Sequence, residues 1–277
     1  MPVELDADLE TVAEESPLVN AVTNDVTVND VAQTILHWGG LPVMSDDERE
    51  VRDMVAGAQA CLLNMGTVSE AGEATMLEAG ESANDHGVPV VVDPVGVGAT
   101  PTRNRVAERL VTELDVAIVK GNYGEITALV GDEAEVRGVE SIGEYSDIAT
   151  TAVAAAQTFN TVVVASGETD VVATEDVAYE VSAGHSKMGS IVGTGCMLGA
   201  TVATFAGAID DTAHAALAGT AAFGLAGEAA ANGGFGKVHG PASFNVAFKD
   251  AIAGLAGVDT DGTRSRIKEV LSTAEAE

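Results

Sequence analysis

Apolar positions along the chain follow two rhythms. Short unbroken runs rich in Val, Leu and Ala mark buried strands: Leu18–Thr23, Leu41–Ser45, Ala60–Met65, Val88–Val92, Val116–Lys120 and Thr161–Ala165. Between them, apolar residues recur at three- and four-residue steps, which predicts helices. These cover Asp6–Ser16, Asn29–Trp38 (stopped by Gly39-Gly40), a segment capped by Asp46-Asp47 and ending near Ala56, Ser69–His86, Asn104–Glu113, Asn122–Val130 and Asp147–Phe159. Val171–Thr174 and Ala178–Val181 flank Glu175-Asp176 and read as a hairpin. Further helices are expected over Thr212–Ala231 and Pro241–Gly254, and a frayed one over Thr263–Glu277. Strands alternating with helices predict an α/β fold with a mainly parallel sheet. Residues 1–277 contain no linker, low-complexity stretch or repeat, so one domain is expected.

One segment breaks both rhythms. Val192-Gly193-Thr194-Gly195-Cys196-Met197 is a turn with little side-chain bulk, and a helical pattern of Leu198, Val202, Phe205 and Ile209 follows it. A Gly-rich turn opening a helix presents free N–H groups at the positive end of the helix dipole, which suits an anion. It also suits close packing, and the turn alone does not choose between the two.

Charge narrows the partners. Against 13 Lys and Arg stand 43 Asp and Glu, a net charge of −30. Such a surface repels nucleic acid and anionic lipid. The acids are spread along the helices and Lys is scarce, a balance that suits molar salt, where the Debye length is about 3 Å. A halophile's cytoplasmic enzyme is expected. The two cysteines, Cys61 and Cys196, form neither a disulfide framework nor a zinc motif. Met1–Glu15 is acidic and lacks the apolar core of a signal peptide. Ile191–Gly207 is interrupted by Gly and Thr and reads as a buried core helix rather than a membrane span.

Ligands of a parallel α/β sheet bind at the carboxyl ends of its strands. Met44, Gly66, Asp93, Asn122 with Glu125, Ser166-Gly167 and the Gly193 turn all fall there. Taken singly, Asp93-Pro94 is a strand exit and Glu125 a dipole-favoured residue of a first helical turn. Together they describe a site.

These residues also carry a resemblance. Asp93-Pro94-Val95-Gly96-Val97-Gly98, Gly121-Asn122-Tyr123-Gly124-Glu125, Gly184-His185 and Gly193-Thr194-Gly195-Cys196 resemble the hydroxyethylthiazole kinase family. Ser16-Pro17 with Thr23-Asn24, Pro42-Val43-Met44, Asn64-Met65-Gly66-Thr67 and Gly240-Pro241-Ala242-Ser243 extend the likeness from about Ser16 to Leu255. It implies a ribokinase-like three-layer sandwich, and transfer of the γ-phosphoryl of ATP to the hydroxyl of 4-methyl-5-(2-hydroxyethyl)thiazole in thiamine salvage, with Mg²⁺. It implies Asp93 and Glu125 at the metal, Lys120 and Ser166 at ATP, Met44 and Gly193 at the acceptor, and the amides of Gly193, Thr194, Gly195 and Cys196 as an anion hole. It further implies a ring-like homotrimer with active sites between subunits.

Cys196 stands where ribokinase-like enzymes generally place an aspartate base, so it is read either as a proton acceptor at a helix N-terminus or as a small packing residue. The family usually has Arg in place of Lys120, a loss of the bidentate fork, and often Thr in place of Ser166. Two other readings stay open: a ribokinase-like kinase for another small alcohol such as a hydroxymethylpyrimidine, and a nucleotide-binding regulator without catalysis.

Overall fold

The computed structural model describes residues 3–131, 148–258, 260 and 262–273. The strands are β1 (Leu18–Val22), β2 (Leu41–Val43), β3 (Ala60–Asn64), β4 (Val90–Asp93), β5 (Ile118–Asn122), β6 (Val162–Ser166), β7 (Asp170–Ala173), β8 (Val177–Val181) and β9 (Ile267–Ser272). They form one sheet in the order β2-β1-β3-β4-β5-β6-β7-β8-β9. Pairings from β2 to β6 are parallel, as the unbroken apolar runs require. Those from β6 to β9 are antiparallel, the β7–β8 hairpin included.

Alternate strand residues feed two cores, one on each face, so the molecule has three layers. Leu62, Val91, Ile118 and Val164 face one core, shared with α1 (Leu5–Glu15), α2 (Val28–His37), α8 (Thr194–Ala206), α9 (Thr212–Ala231) and α10 (Pro241–Gly254). Cys61, Leu63, Val92 and Val119 face the other, closed by α3 (Val51–Ala56), α4 (Glu70–His86), α5 (Pro101–Glu113), α6 (Tyr123–Val130) and α7 (Ile148–Phe159). α8 is buried from Cys196 through Ala206, as its uninterrupted small apolar sequence demands. Trp38 donates its indole N–H to Thr201 Oγ1 at 2.8 Å and meets Phe205 edge to face, which locks α2 onto α8. Between α4 and α5, the buried Glu73 accepts from Arg105 at 2.6 and 2.7 Å and from Arg109 at 2.6 Å. Among the described residues no helix is long and apolar enough to cross a membrane.

Strands β4 and β5 each begin two residues later than expected, and three other differences have an identifiable cause. Asp47 binds Arg49 within a turn, and α3 begins only at Val51. α5 begins at Pro101 because Thr100 caps it, accepting from Arg103 N–H at 3.2 Å. The C-terminal helix is the larger correction. Thr263–Arg266 makes a single turn, α11, and Ile267–Ser272 is then drawn into β9 by the otherwise unpaired edge of β8. Asp147, taken as the start of α7, and residues 274–277 lie outside the described residues.

Candidate active site

Strands β3 to β6 end along one rim, and the N-terminus of α8 descends onto it. Asp93 closes β4 with no exposed surface. Its Oδ2 accepts from Asn64 Nδ2 at 2.6 Å and its Oδ1 from Lys120 Nζ at 3.2 Å. Lys120, on β5, is equally enclosed, and a Cβ on Gly195 would stand 3.1 Å from its Nζ. The ammonium therefore lies directly beneath the Gly193 turn. Burial opposes its charge, but Asp93, Glu125 and Cys196 outweigh burial and hold its pKa above the ordinary lysine value. Burial raises the Asp93 carboxyl, Lys120 draws it back, and Glu125 pushes it up again.

Glu125 is fixed by a reciprocal cap at the start of α6. Asn122 Oδ1 accepts from Glu125 N–H at 2.9 Å, and Glu125 Oε2 accepts from Asn122 N–H at 2.8 Å. Its Oε1 accepts from Gly96 N–H at 2.7 Å, tying α6 to the turn after Asp93. The glycines of the Asp93 turn and the Asn-x-x-Glu spacing thus serve one carboxylate.

The α8 turn is held from both sides. Gly193 has φ of +90°, and a Cβ there would stand 2.5 Å from Thr27 Cγ2, so only glycine fits. Thr194 Oγ1 donates back to the loop, to Met188 O at 2.8 Å and Ile191 O at 3.0 Å. The first bond inside the helix runs from Met197 N–H to Gly193 O, which leaves the amides of Thr194, Gly195 and Cys196 without helical partners. Cys196 Sγ is 3.5 Å from Asn24 Nδ2. The same amide reaches Asn64 Oδ1 at 2.8 Å, so a polar chain runs from Cys196 through Asn24 and Asn64 to Asp93 and Lys120.

On the far side of the rim, Ser166 Oγ donates to Gly121 O at 3.3 Å. Gly167 N–H donates to Asp170 Oδ1 at 3.0 Å, and the Tyr123 ring packs beneath Gly167 while its hydroxyl donates to Thr169 O. Burial pushes the Asp170 carboxyl up to about 6. Ser166–Glu168, Asp170, Ala183–Ser186, Met188, Gly193–Gly195 and Phe223 line a cavity of about 750 Å³. A separate cleft of about 590 Å³, lined in part by Asn84, Asp115, Glu175 and Asp210, opens at the amino ends of β4 to β6, where none of these groups lie.

Of the residues singled out from sequence, Asp93, Lys120, Glu125, Ser166 and Gly193–Cys196 converge on one rim. Met44 stands just past the carboxyl end of the edge strand β2, three strands along the same sheet from β4. It is half-buried against the first core. Sequence reasoning gave no separate role to Asn24, Asn64, Arg103 or Asp170. Arg103 donates to the carbonyls of Met65, Val95 and Gly66 at 2.8, 2.5 and 2.9 Å, and so braces two loops of the rim. Asn24 and Asn64 had one legible signal, a polar residue at or just past a strand's carboxyl end.

A divalent cation fits this rim. Among the described residues no three His, Cys, Asp or Glu form a metal cluster, but Mg²⁺ commonly takes one or two carboxylates and completes its shell with water and phosphate oxygens. Asp93 and Glu125 repel one another through a buried rim, which a cation between them relieves.

The Hydroxyethylthiazole kinase family model matches residues 9–257. The chain belongs to the hydroxyethylthiazole kinase family. A relative carrying the family name in the halophile Natronomonas pharaonis is 62% identical, covering 98% of this chain and 97% of its own. One in Haloquadratum walsbyi is 58% identical, covering 97% and 94%. The solved structure of a hydroxyethylthiazole kinase protein from Pyrococcus horikoshii superposes with a TM-score of 0.82 at 32% identity, over 96% of this chain and 98% of that one. A ribokinase-like superfamily protein from Enterococcus faecalis, 10% identical with a TM-score of 0.64, shares the fold alone. The three-layer ribokinase-like architecture and the kinase assignment expected from the motifs therefore hold for this chain.

Proposed function

We propose that this family member transfers the γ-phosphoryl of ATP to the hydroxyl of 4-methyl-5-(2-hydroxyethyl)thiazole, in thiamine salvage. The observation that carries the reading is the convergence of Lys120, Asp93 and the open amides of the α8 turn on one point. Phosphoryl transfer asks for alignment and for stabilisation of charge on the moving group, rather than covalent help. In this reading the amides of Gly193, Thr194, Gly195 and Cys196 face the transferring phosphoryl, and Lys120 Nζ, just beneath, adds a fixed positive charge. Ser166 and the 750 Å³ cavity take the rest of ATP.

Asp93 and Glu125 would hold Mg²⁺, which supplies neutralisation of the phosphate oxygens when bound. The acceptor lies on the Thr27 side of Gly193, toward Met44. Cys196 Sγ, at the helix N-terminus, receives the proton of the attacking hydroxyl, with Asn24 fixing its position.

The assembly is read as a homotrimer with sites between subunits, and the location as cytoplasmic. Support for association is the apolar surface left open beside the acceptor side: Val26, Val28, Leu36, Leu41, Val192 and Val246 are all exposed. Among the described residues, Asn245 Oδ1, on α10, and His37 Nδ1, on α2, are buried without a hydrogen-bond partner.

The deciding assay offers hydroxyethylthiazole and hydroxymethylpyrimidine side by side, with ATP, Mg²⁺ and molar KCl. Turnover of the thiazole is expected. Turnover of the pyrimidine alone moves the substrate, and ATP binding without turnover of either makes the chain a regulator.

A further inference from the structure

The nucleotide-side wall of the cavity is the loop from Ala183 to Met188, and its fastening lies outside every motif described so far. The loop is pressed onto one face of α9. A Cβ on Gly224 would stand 2.7 Å from the Ala183 carbonyl carbon, and one on Gly227 would overlap Met188 Sδ. Small residues at these two positions let the loop backbone lie against the helix.

The next residue of that face, Glu228, accepts from Gly184 N–H at 3.1 Å through Oε1. A carboxylate used this way, half-buried, needs a counter-charge, and it comes from the end of the chain. Arg266 Nη1 lies 2.7 Å from the same Glu228 Oε1 and donates to Ser182 O at 3.0 Å. Ser182 N–H in turn donates to Arg266 O at 2.9 Å, where β9 begins its pairing with β8. Arg266 falls beyond the residues 9–257 matched by the family model.

We infer that Arg266 is a positioning residue for nucleotide binding, acting through Glu228 to hold the Gly184 wall of the cavity. The inference rests on the reading that this cavity takes ATP. With Arg266 in place, Glu228 keeps one rotamer and Gly184 one position, so the wall is preformed. Without it, the carboxylate turns toward water and the loop must be ordered by the nucleotide itself, at a cost in affinity. Arg266 and Glu228 touch neither the acceptor side nor the α8 turn, which meets this loop at its far end through Thr194 Oγ1 and Met188 O at 2.8 Å, so most of the cost falls on ATP.

The test uses the full chain in molar KCl and measures steady-state kinetics, ATP binding by calorimetry without acceptor, and thermal unfolding. Arg266→Ala is expected to raise KM for ATP and its Kd together by about five- to tenfold, the net scale of one hydrogen bond, with kcat and KM for the thiazole near those of the parent. Arg266→Lys, which can reach both Glu228 and Ser182 O with one nitrogen, is expected to recover most of the affinity. Unchanged ATP affinity in Arg266→Ala overturns the inference. So does an equal rise in both KM values with a lowered unfolding midpoint and no rescue by Lys, the signature of general loosening. If the parent binds ATP but turns over neither acceptor, the functional reading fails while the calorimetric comparison still decides this one. If the parent binds no ATP, both fail.

Discussion

Lys120 Nζ and Asp93 Oδ1 stand 3.2 Å apart with their side chains 4% and 0% exposed. This is a buried ion pair placed beneath the helix turn that our reading assigns to the transferring phosphoryl. Removing one partner of such a pair leaves the other charge enclosed and unpaired. Lys120→Met is therefore expected to destabilise the fold by about 3 kcal/mol and to abolish most turnover. Urea unfolding in molar KCl checks the first, and the ATP-dependent assay the second. A variant as stable as the parent would show that Asp93 finds another partner.

Cys196→Ala should lower kcat by about a hundredfold or less, since a positioned proton acceptor contributes roughly 10²–10⁴-fold and water can replace it in part. Asn24→Ala, which frees the thiol from its 3.5 Å partner, should lower kcat less. An unchanged kcat in Cys196→Ala would reduce that residue to packing.

Gly193→Ala meets two obstacles at once, a φ of +90° and the Thr27 methyl at 2.5 Å. Backbone strain of this kind costs roughly 1–3 kcal/mol, and the α8 amides would be turned from their common focus. Turnover is expected to collapse with secondary structure retained, a difference that circular dichroism and the kinase assay show together.

Glu73 gives the fold a pH dependence. The hydrogen-bonded Arg105, with Arg109, holds its carboxyl at about 2, against an ordinary 4.5. A value depressed in the folded state stabilises fully above the unfolded value and is lost as pH falls from about 4.5 toward 2. Both guanidinium groups are more than a third exposed, so the contribution is screened to about 1 kcal/mol or less. Glu73→Gln should be less stable than the parent at pH 7, with the gap closing below pH 4. A gap as wide at pH 2 as at pH 7 would assign the loss to packing.

Forty-three acids against thirteen bases predict unfolding on dilution of salt. Far-ultraviolet circular dichroism between 3 M and 0.1 M KCl should show loss of structure at the low end, and full structure and activity without salt would contradict it.

How much of this was readable in the chain depended on whether each signal was local. Parallel strands announced themselves as unbroken apolar runs, and Asn122 and Glu125 as a cap of fixed spacing. Thr212–Ala231 and Pro241–Gly254 were bounded as expected, because each has a cap or a proline at its start. Asp93 was legible because strand ends concentrate polar groups, Gly193 from its Gly-rich turn, and Lys120 only through the family resemblance. Ile267–Ser272 was misread, since its charges fit a helix and only the distant edge of β8 makes it a strand. Asn24 and Asn64 gain their roles from neighbours far along the chain, at Cys196 and Asp93. Arg266 is the same case, bound to Ser182 and Glu228.

Strand β9 has a consequence for the order in which the molecule is made. Domains can begin folding while synthesis is under way, and here β1 to β8 with both cores emerge before Ile267. Until that segment leaves the ribosome, β8 presents an open hydrogen-bonding edge, and Glu228 lacks its guanidinium partner. The nascent kinase is thus an almost finished sheet with one adhesive border and an unset cavity wall, and the same stretch of polypeptide completes both.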